Sequence, residues 1–227
     1  MQDLGINKYK ASGLIPHITL ENYNYKSFNM WINTKETNSN QSALSLIIKK
    51  SLLIYDINIK EYLSYRCMTL EIKFNNQYTL LIVNVYITPK NGKYKEEQIE
   101  FIKTNIILPN KNNDKKIIIL GDYNEYNNGS IDRWSNYQIQ NTNKNFDFIK
   151  MLKKYDFTDS FRYINDDERK FTRIGIYNIN NNIKYVKTRI DHIYINNNVL
   201  EKIKNCQIIE EELLNSDHRL IFIELDN

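Results

Sequence analysis

The chain has 227 residues, 41% apolar and 26% charged, a balance that supports a folded core and excludes an intrinsically disordered chain. The formal net charge of +4 permits a polyanionic partner such as nucleic acid without requiring one. No apolar run approaches the ~18 residues of a membrane span, and residues 1–10 lack the apolar stretch of a secretory signal. An intracellular protein, nuclear or cytoplasmic and away from membranes, is therefore expected.

The composition is skewed to 34 Asn, 35 Ile, 24 Lys and 17 Tyr. All four have AT-rich codons, so a single Asn or Lys carries little weight on its own. Two cysteines cannot build a disulfide framework, and three scattered histidines do not show structural zinc spacing. Two reduced, half-buried thiols at Cys67 and Cys206 are expected. No internal repeat and no Pro/Gly/Ser-rich linker divides the chain, so residues 1–227 are expected to form one domain.

In chain order, residues 22–41 show no clear period. Segments 43–49 (ALSLIIK), 66–74 (RCMTLEIKF) and 79–87 (TLLIVNVYI) have strand character, and Asn75-Asn76 between the last two suggests a hairpin turn, so the three form an expected meander. Residues 94–108 place Ile99, Ile102 and Ile106 on one helical face, with Glu96, Glu97 and Glu100 early and Pro109 as the stop. The continuous apolar run 116–120 (KIIIL), closed by Gly121-Asp122, suits a central strand covered on both faces. A second helix is expected over 143–155, with Phe146, Ile149 and Leu152 on its face and Asp147 in its first turn. Residues 189–195 and 219–225 are the closing strands. This order predicts a mixed α/β layered sandwich.

Four patches near strand ends carry possible chemistry. In Gly121-Asp122-Tyr123-Asn124, a carboxylate can accept a proton or bind a cation, and a carboxamide can orient a water or a phosphate oxygen. The same four letters also make an ordinary turn. Ser216-Asp217-His218 offers a carboxylate beside an ionisable imidazole; a capped loop with a surface His is the bland alternative. In Arg189-Ile190-Asp191-His192, Asp191 can orient another histidine, whereas His192 alternates away from it and reads as structural. An edge-strand ion pair is the competing reading. Tyr86, ending a strand before a Pro-containing turn, can donate to a phosphate or be one more core aromatic.

The ordered set NVYxxP, GDYN, FTR, RIDHI and SDH resembles the endonuclease/exonuclease/phosphatase (DNase I-like) superfamily, closest in flavour to the endonuclease domains of LINE-type retrotransposons. Tyr123 stands where the family usually has Phe. Phe171-Thr172 fits the family's aromatic-Thr pair, and Asp159-Ser160-Phe161-Arg162 resembles the segment before it. The resemblance implies a DNase I-like two-sheet α/β sandwich and a metal-dependent phosphodiesterase, foremost a DNA-nicking endonuclease of retrotransposon type. The alternatives are a catalytically dead nucleic-acid-binding remnant, or a phosphatase or lipid phosphodiesterase of the same fold.

Carried over residue by residue, the resemblance implies that Asp122 and Asn124 activate water and orient the phosphate. It implies that His218, held by Asp191, contacts the scissile phosphate, and that Tyr86 approaches the phosphate or leaving group. Asp217, with Asp122, belongs to the metal site, for Mg²⁺ or Mn²⁺, and DNA is the implied partner. The family's first strand has no counterpart here, so the fold is expected to lack it. The segment Leu4–Lys10 resembles the second strand; with Lys10 as that motif's lysine, Lys8 stands where the family carries its principal Mg²⁺-binding Glu, so that Glu is either absent or replaced by Lys8. Glu21 and Glu36 fall too late for that position. Weak or absent activity with Mg²⁺ follows as an expectation, because an ammonium repels the ion.

Overall fold

The structure, a computed structural model, describes residues 23–24, 44, 46, 48–63, 66–74, 78–89, 92–111, 114–137, 147–179, 181–209 and 216–226. The readings made for residues 1–10, Glu21, Glu36, the turn at 75–76 and Phe146 lie outside these.

A six-stranded mixed sheet organises the chain. Its strands are β3 (Asp56–Tyr62), β4 (Cys67–Phe74), β5 (Tyr78–Tyr86), β6 (Lys116–Asp122), β8 (Phe157–Asp159) and β11 (Asp191–Asn196), in the spatial order β3-β4-β5-β6-β11-β8. Two short strands, β1 (Tyr23–Asn24) and β2 (Ile48–Lys49), pair with each other. β7 (Arg133–Ser135), β9 (Arg173–Ile179) and β10 (Asn182–Thr188) form a three-stranded sheet, and β12 (Ile203–Ile209) pairs with β13 (Leu220–Leu225).

The run at 116–120 is a central strand as expected. β6 lies parallel to β5 and antiparallel to β11. Its alternation then serves two cores. Ile117 and Ile119 join Val83 and Val85 beneath the helices, whereas Ile118 faces the opposite side with Ile193 and Ile195, against Ile221 and Ile223 of the β12–β13 pair. Helices thus cover one face of the large sheet and strands cover the other.

Two helices supply the first layer. α1 (Lys93–Ile102) continues through a wide turn over Lys103–Ile107 into Leu108–Asn110, and buries Ile102, Ile106 and Ile107. The helical run passes Pro109 instead of stopping before it, because after the wide turn Pro109 lies in the first turn of the Leu108–Asn110 helix, where a missing N–H is tolerated. α2 (Asp147–Lys154) buries Phe148, Ile149, Met151 and Leu152, and two short helices follow, α3 (Ser160–Ile164) and α4 (Asn197–Leu200).

Several expectations need correction. The first strand of the meander is β3, not 43–49; it pairs along its length with β4, which pairs in turn with β5. β3 alternates over only two isoleucines and keeps Asp56, Asn58 and Lys60 exposed, a weak apolar signal typical of an edge. β11 is internal, flanked by β6 and β8, so Arg189 is not part of an edge-strand ion pair. Both thiols are fully buried rather than half-buried, and burial pushes Cys67 up to about 12 and Cys206 to about 11, as inert thiols should be.

Candidate active site

β5 and β6 end side by side, with Tyr86 opposite Asp122, and β11 begins where β6 ends, with Asp191 opposite Asp122. Three of the expected residues are therefore placed by strand register alone. Gly121 makes the junction feasible. It holds a φ of 138°, and a Cβ there would lie 1.9 Å from the Val85 carbonyl oxygen. Only glycine lets β6 approach β5 this closely while turning.

Asn124 follows in the left-handed region, at φ 50°, a conformation Asn tolerates better than most residues. Its N–H donates to Asp122 Oδ1 at 2.8 Å and its Nδ2 to the Ile87 carbonyl at 2.9 Å. It thereby orients the Asp122 carboxylate and ties the end of β6 to the turn after β5. That turn is held from behind by α1. Gln98 Nε2 donates to the Tyr86 carbonyl at 2.7 Å, and Thr88 donates to Gln98 Oε1 through both its N–H and its hydroxyl. The Tyr86 ring is half-buried and lies 4.8 Å from the Arg66 guanidinium.

The Ser216-Asp217-His218 segment enters from the other side of the chain. His218 bridges Arg173 in an antiparallel pair, and its Nδ1 meets both oxygens of the fully buried Asp191, at 2.9 and 3.1 Å. Burial opposes the imidazolium, but the hydrogen bond and charge of Asp191, with Asp122 and Asp217 behind it, raise His218 to about 9. At neutral pH the ring is a cation with Nδ1–H on Asp191. Ligand atoms of Asp122, Asp191 and His218 lie within 4.8 Å of one another.

Asp217 is outside that trio. It is half-exposed, its Oδ2 accepts from Arg173 Nε at 2.9 Å, and its Oδ1 is 3.9 Å from His218 Nε2. A cavity of about 220 Å³ opens beside Asn124 and Arg173, walled by Tyr126, Tyr137 and Tyr177.

Behind the trio stands a buried ionic cluster that the sequence did not reveal. Arg189, 0% exposed, donates to both carboxylates of Asp132 and Asp159 at 2.7–3.2 Å. Arg162 also pairs with Asp132. Burial opposes the charge on Asp159, but Arg189 holds its carboxyl well below the usual range. Arg189 Nη1 lies 3.1 Å from His192 Nδ1. Arginine only donates, so His192 Nδ1 accepts and Nε2–H is left for the Glu125 carbonyl at 2.8 Å. His192 is structural, as its alternation implied. Glu125 itself, 1% exposed, pairs with Lys95 of α1 at 2.8 Å and accepts the Phe148 and Ile149 N–H groups at the start of α2. An arginine immediately before a buried strand, with Asp159 ahead of another arginine, was the signal available for this cluster.

No protein-family model and no curated protein sequence matches the chain. Solved structures do match. The endonuclease domain of TRAS1, a telomere-specific non-LTR retrotransposon, is 12% identical, with a TM-score of 0.58 over 83% of this chain and 76% of that one. The 3′ phosphatase NExo from Neisseria, bound to a product DNA hairpin, is 17% identical, with a TM-score of 0.67 over 99% of this chain and 87% of that one. An AP endonuclease from Archaeoglobus fulgidus is 14% identical, with a TM-score of 0.55 over 80% of this chain and 74% of that one. At such identities the likeness is one of fold. The mixed sheet with helices on one face and a second sheet on the other is the DNase I-like fold, and this chain has it.

Proposed function

We propose that this chain is a divalent-metal-dependent phosphodiesterase that nicks DNA, of the kind found in LINE-type retrotransposons. The observation that carries the reading is the Asp191–His218 pair set against Asp122 where β5, β6 and β11 meet. A phosphodiester is an anion, so its hydrolysis needs a proton acceptor for water and donors where negative charge builds. Asp122, steadied by the Asn124 N–H, accepts the proton of the attacking water. His218, cationic at neutral pH, donates Nε2–H to a non-bridging phosphate oxygen. Asp191 fixes the ring and stabilises its charge. Tyr86 and Asn124 line the approach of the phosphate and leaving group.

Mg²⁺ uses one or two carboxylates and keeps several waters, and Mn²⁺ accepts the same oxygens. Asp122 and Asp217 both act on the His218 ring, and their carboxylates would supply oxygen donors of the number and type that requirement asks for. A cation held there would neutralise phosphate charge and assist the leaving oxygen.

A second reading, removal of a 3′ phosphate from a DNA end, is favoured by the likeness to NExo over 99% of the chain. One experiment addresses both. The purified chain is assayed on supercoiled plasmid and on a 3′-phosphorylated hairpin across Mg²⁺ and Mn²⁺ concentrations, beside Asp122→Ala. EDTA-sensitive nicking that falls ~10²–10⁴-fold in Asp122→Ala, with an unchanged far-UV spectrum, is expected. Phosphate release without nicking selects the second reading. DNA retention with neither activity points to a binding remnant, and equal nicking by Asp122→Ala removes the assignment.

A further inference from the structure

The Asp191–His218 hydrogen bond joins side chains 27 residues apart in sequence. One residue touches both backbone segments. Thr172 is 0% exposed. Its hydroxyl oxygen accepts two consecutive amides, Ile190 N–H and Asp191 N–H, each at 3.0 Å. Its own N–H donates to the Thr188 carbonyl at 3.0 Å, and its carbonyl accepts Arg219 N–H at 2.7 Å. The next two residues continue the seam: Arg173 bridges His218, and Ile174 N–H donates to the Asp217 carbonyl at 2.9 Å. From the far side, Tyr123 N–H holds the Ile190 carbonyl at 2.9 Å.

A hydroxyl has two lone pairs, and here both are spent on the peptides that carry Asp191. Two consecutive N–H groups converging on one oxygen fix the direction in which residue 191 leaves the chain. The Thr172 carbonyl fixes the segment bearing His218 from the same point. We propose that Thr172 is a positioning residue that sets the Asp191–His218 hydrogen bond by clamping both segments at once; this rests on the reading of that pair as the working pair of the site. Replacing the hydroxyl by a methyl of similar shape leaves two buried donors unsatisfied. Relief comes from a shift of the 190–191 peptides, which carries the carboxylate away from the imidazole.

The test uses the full chain as Thr172→Val, Thr172→Ala and Thr172→Ser. The direct readout is the ¹⁵N–¹H NMR signal of His218 Nδ1–H, assigned by its loss in His218→Gln. It is expected in the wild type and in Thr172→Ser, and absent through solvent exchange in the Val and Ala variants while their amide dispersion stays native. Where nicking is measured, kcat falls roughly 10–100-fold in Thr172→Val, the size typical of a partner that orients a ligand-contacting group. KM is unchanged, and Thr172→Ser restores the rate. Retention of the Nδ1–H signal in a folded Thr172→Val or Thr172→Ala overturns the proposal, as does its absence from the wild type. Failure of both the Val and Ala variants to fold also overturns it, since Thr172 then serves stability alone. If the wild type does not nick DNA, the NMR readout still decides the role of Thr172, so failure of the nuclease reading is seen separately.

Discussion

His218 is the residue whose ionisation the fold has changed most usefully. Its imidazole is raised from the ordinary 6.5 to about 9 because Asp191, Asp122 and Asp217 outweigh the cost of burial. A folded-state value above the unfolded one means that the protonated ring stabilises the native state. That contribution is complete below pH 6.5 and is lost as pH rises through about 9. Urea midpoints of the wild type are expected to fall relative to His218→Gln between pH 6.5 and 9.5; parallel curves would show that the ring is not held as described. The same geometry makes Asp191 useful only through the ring it orients. His218→Ala and Asp191→Ala should therefore each cost a similar factor in nicking, and the double variant about the same factor again, not the product. Losses that multiply would mean that the two act independently.

At the scale of elements, the site is a junction of three strand ends braced by helices. Gly121→Ala tests the junction. A Cβ at 1.9 Å from the Val85 carbonyl cannot be relieved by moving a flexible side chain, and alanine also resists φ 138°. A loss of roughly 3 kcal/mol or more is expected, read as a shift in urea midpoint; a shift below 1 kcal/mol would show that β5 and β6 can part locally. α1 braces the junction through polar groups. The apolar spacing of Ile99, Ile102 and Ile106 announced the helix, but nothing local announced that Lys95 and Gln98, 3% and 1% exposed, would be buried with them. Those side chains are buried because the Tyr86 carbonyl at the end of β5 and the Glu125 carboxylate in the loop after β6 receive them, groups contributed by other parts of the chain. β3, β7, β9, β10 and β12 also passed unnoticed in the sequence. Such strands are short or half-exposed, and a half-exposed strand such as β10 mixes polar and apolar residues without a firm period.

For the whole molecule, the supply of metal-binding carboxylates sets the expected rate. The resemblance places a Glu ligand where this sequence has Lys8, among residues outside those described. An ammonium at that position repels a divalent cation, so nicking in Mg²⁺ is expected to be slow, and Lys8→Glu should raise the rate and lower the Mg²⁺ concentration needed for half of it. Brisk wild-type nicking, or no gain in Lys8→Glu, would assign the ligand elsewhere.

What the amino-acid sequence determined by itself was local and ordinal: the central apolar strand ending in Gly121-Asp122, the two helical faces, and the order of short motifs containing Tyr86, Asp122, Asn124, Asp191, Asp217 and His218. Periodicity and turn chemistry act over a few residues, so they are visible in one dimension. Tertiary structure alone decided which of those residues meet. Strand register put Tyr86 and Asp191 on either side of Asp122, and the seam through Thr172 brought His218 onto Asp191. Asp217 reaches the pair through the same seam while one of its oxygens accepts from Arg173, and Arg189 lies buried between two carboxylates where an edge was expected. Burial and pairing of charges depend on what packs against them from elsewhere in the chain, and no local window contains that partner.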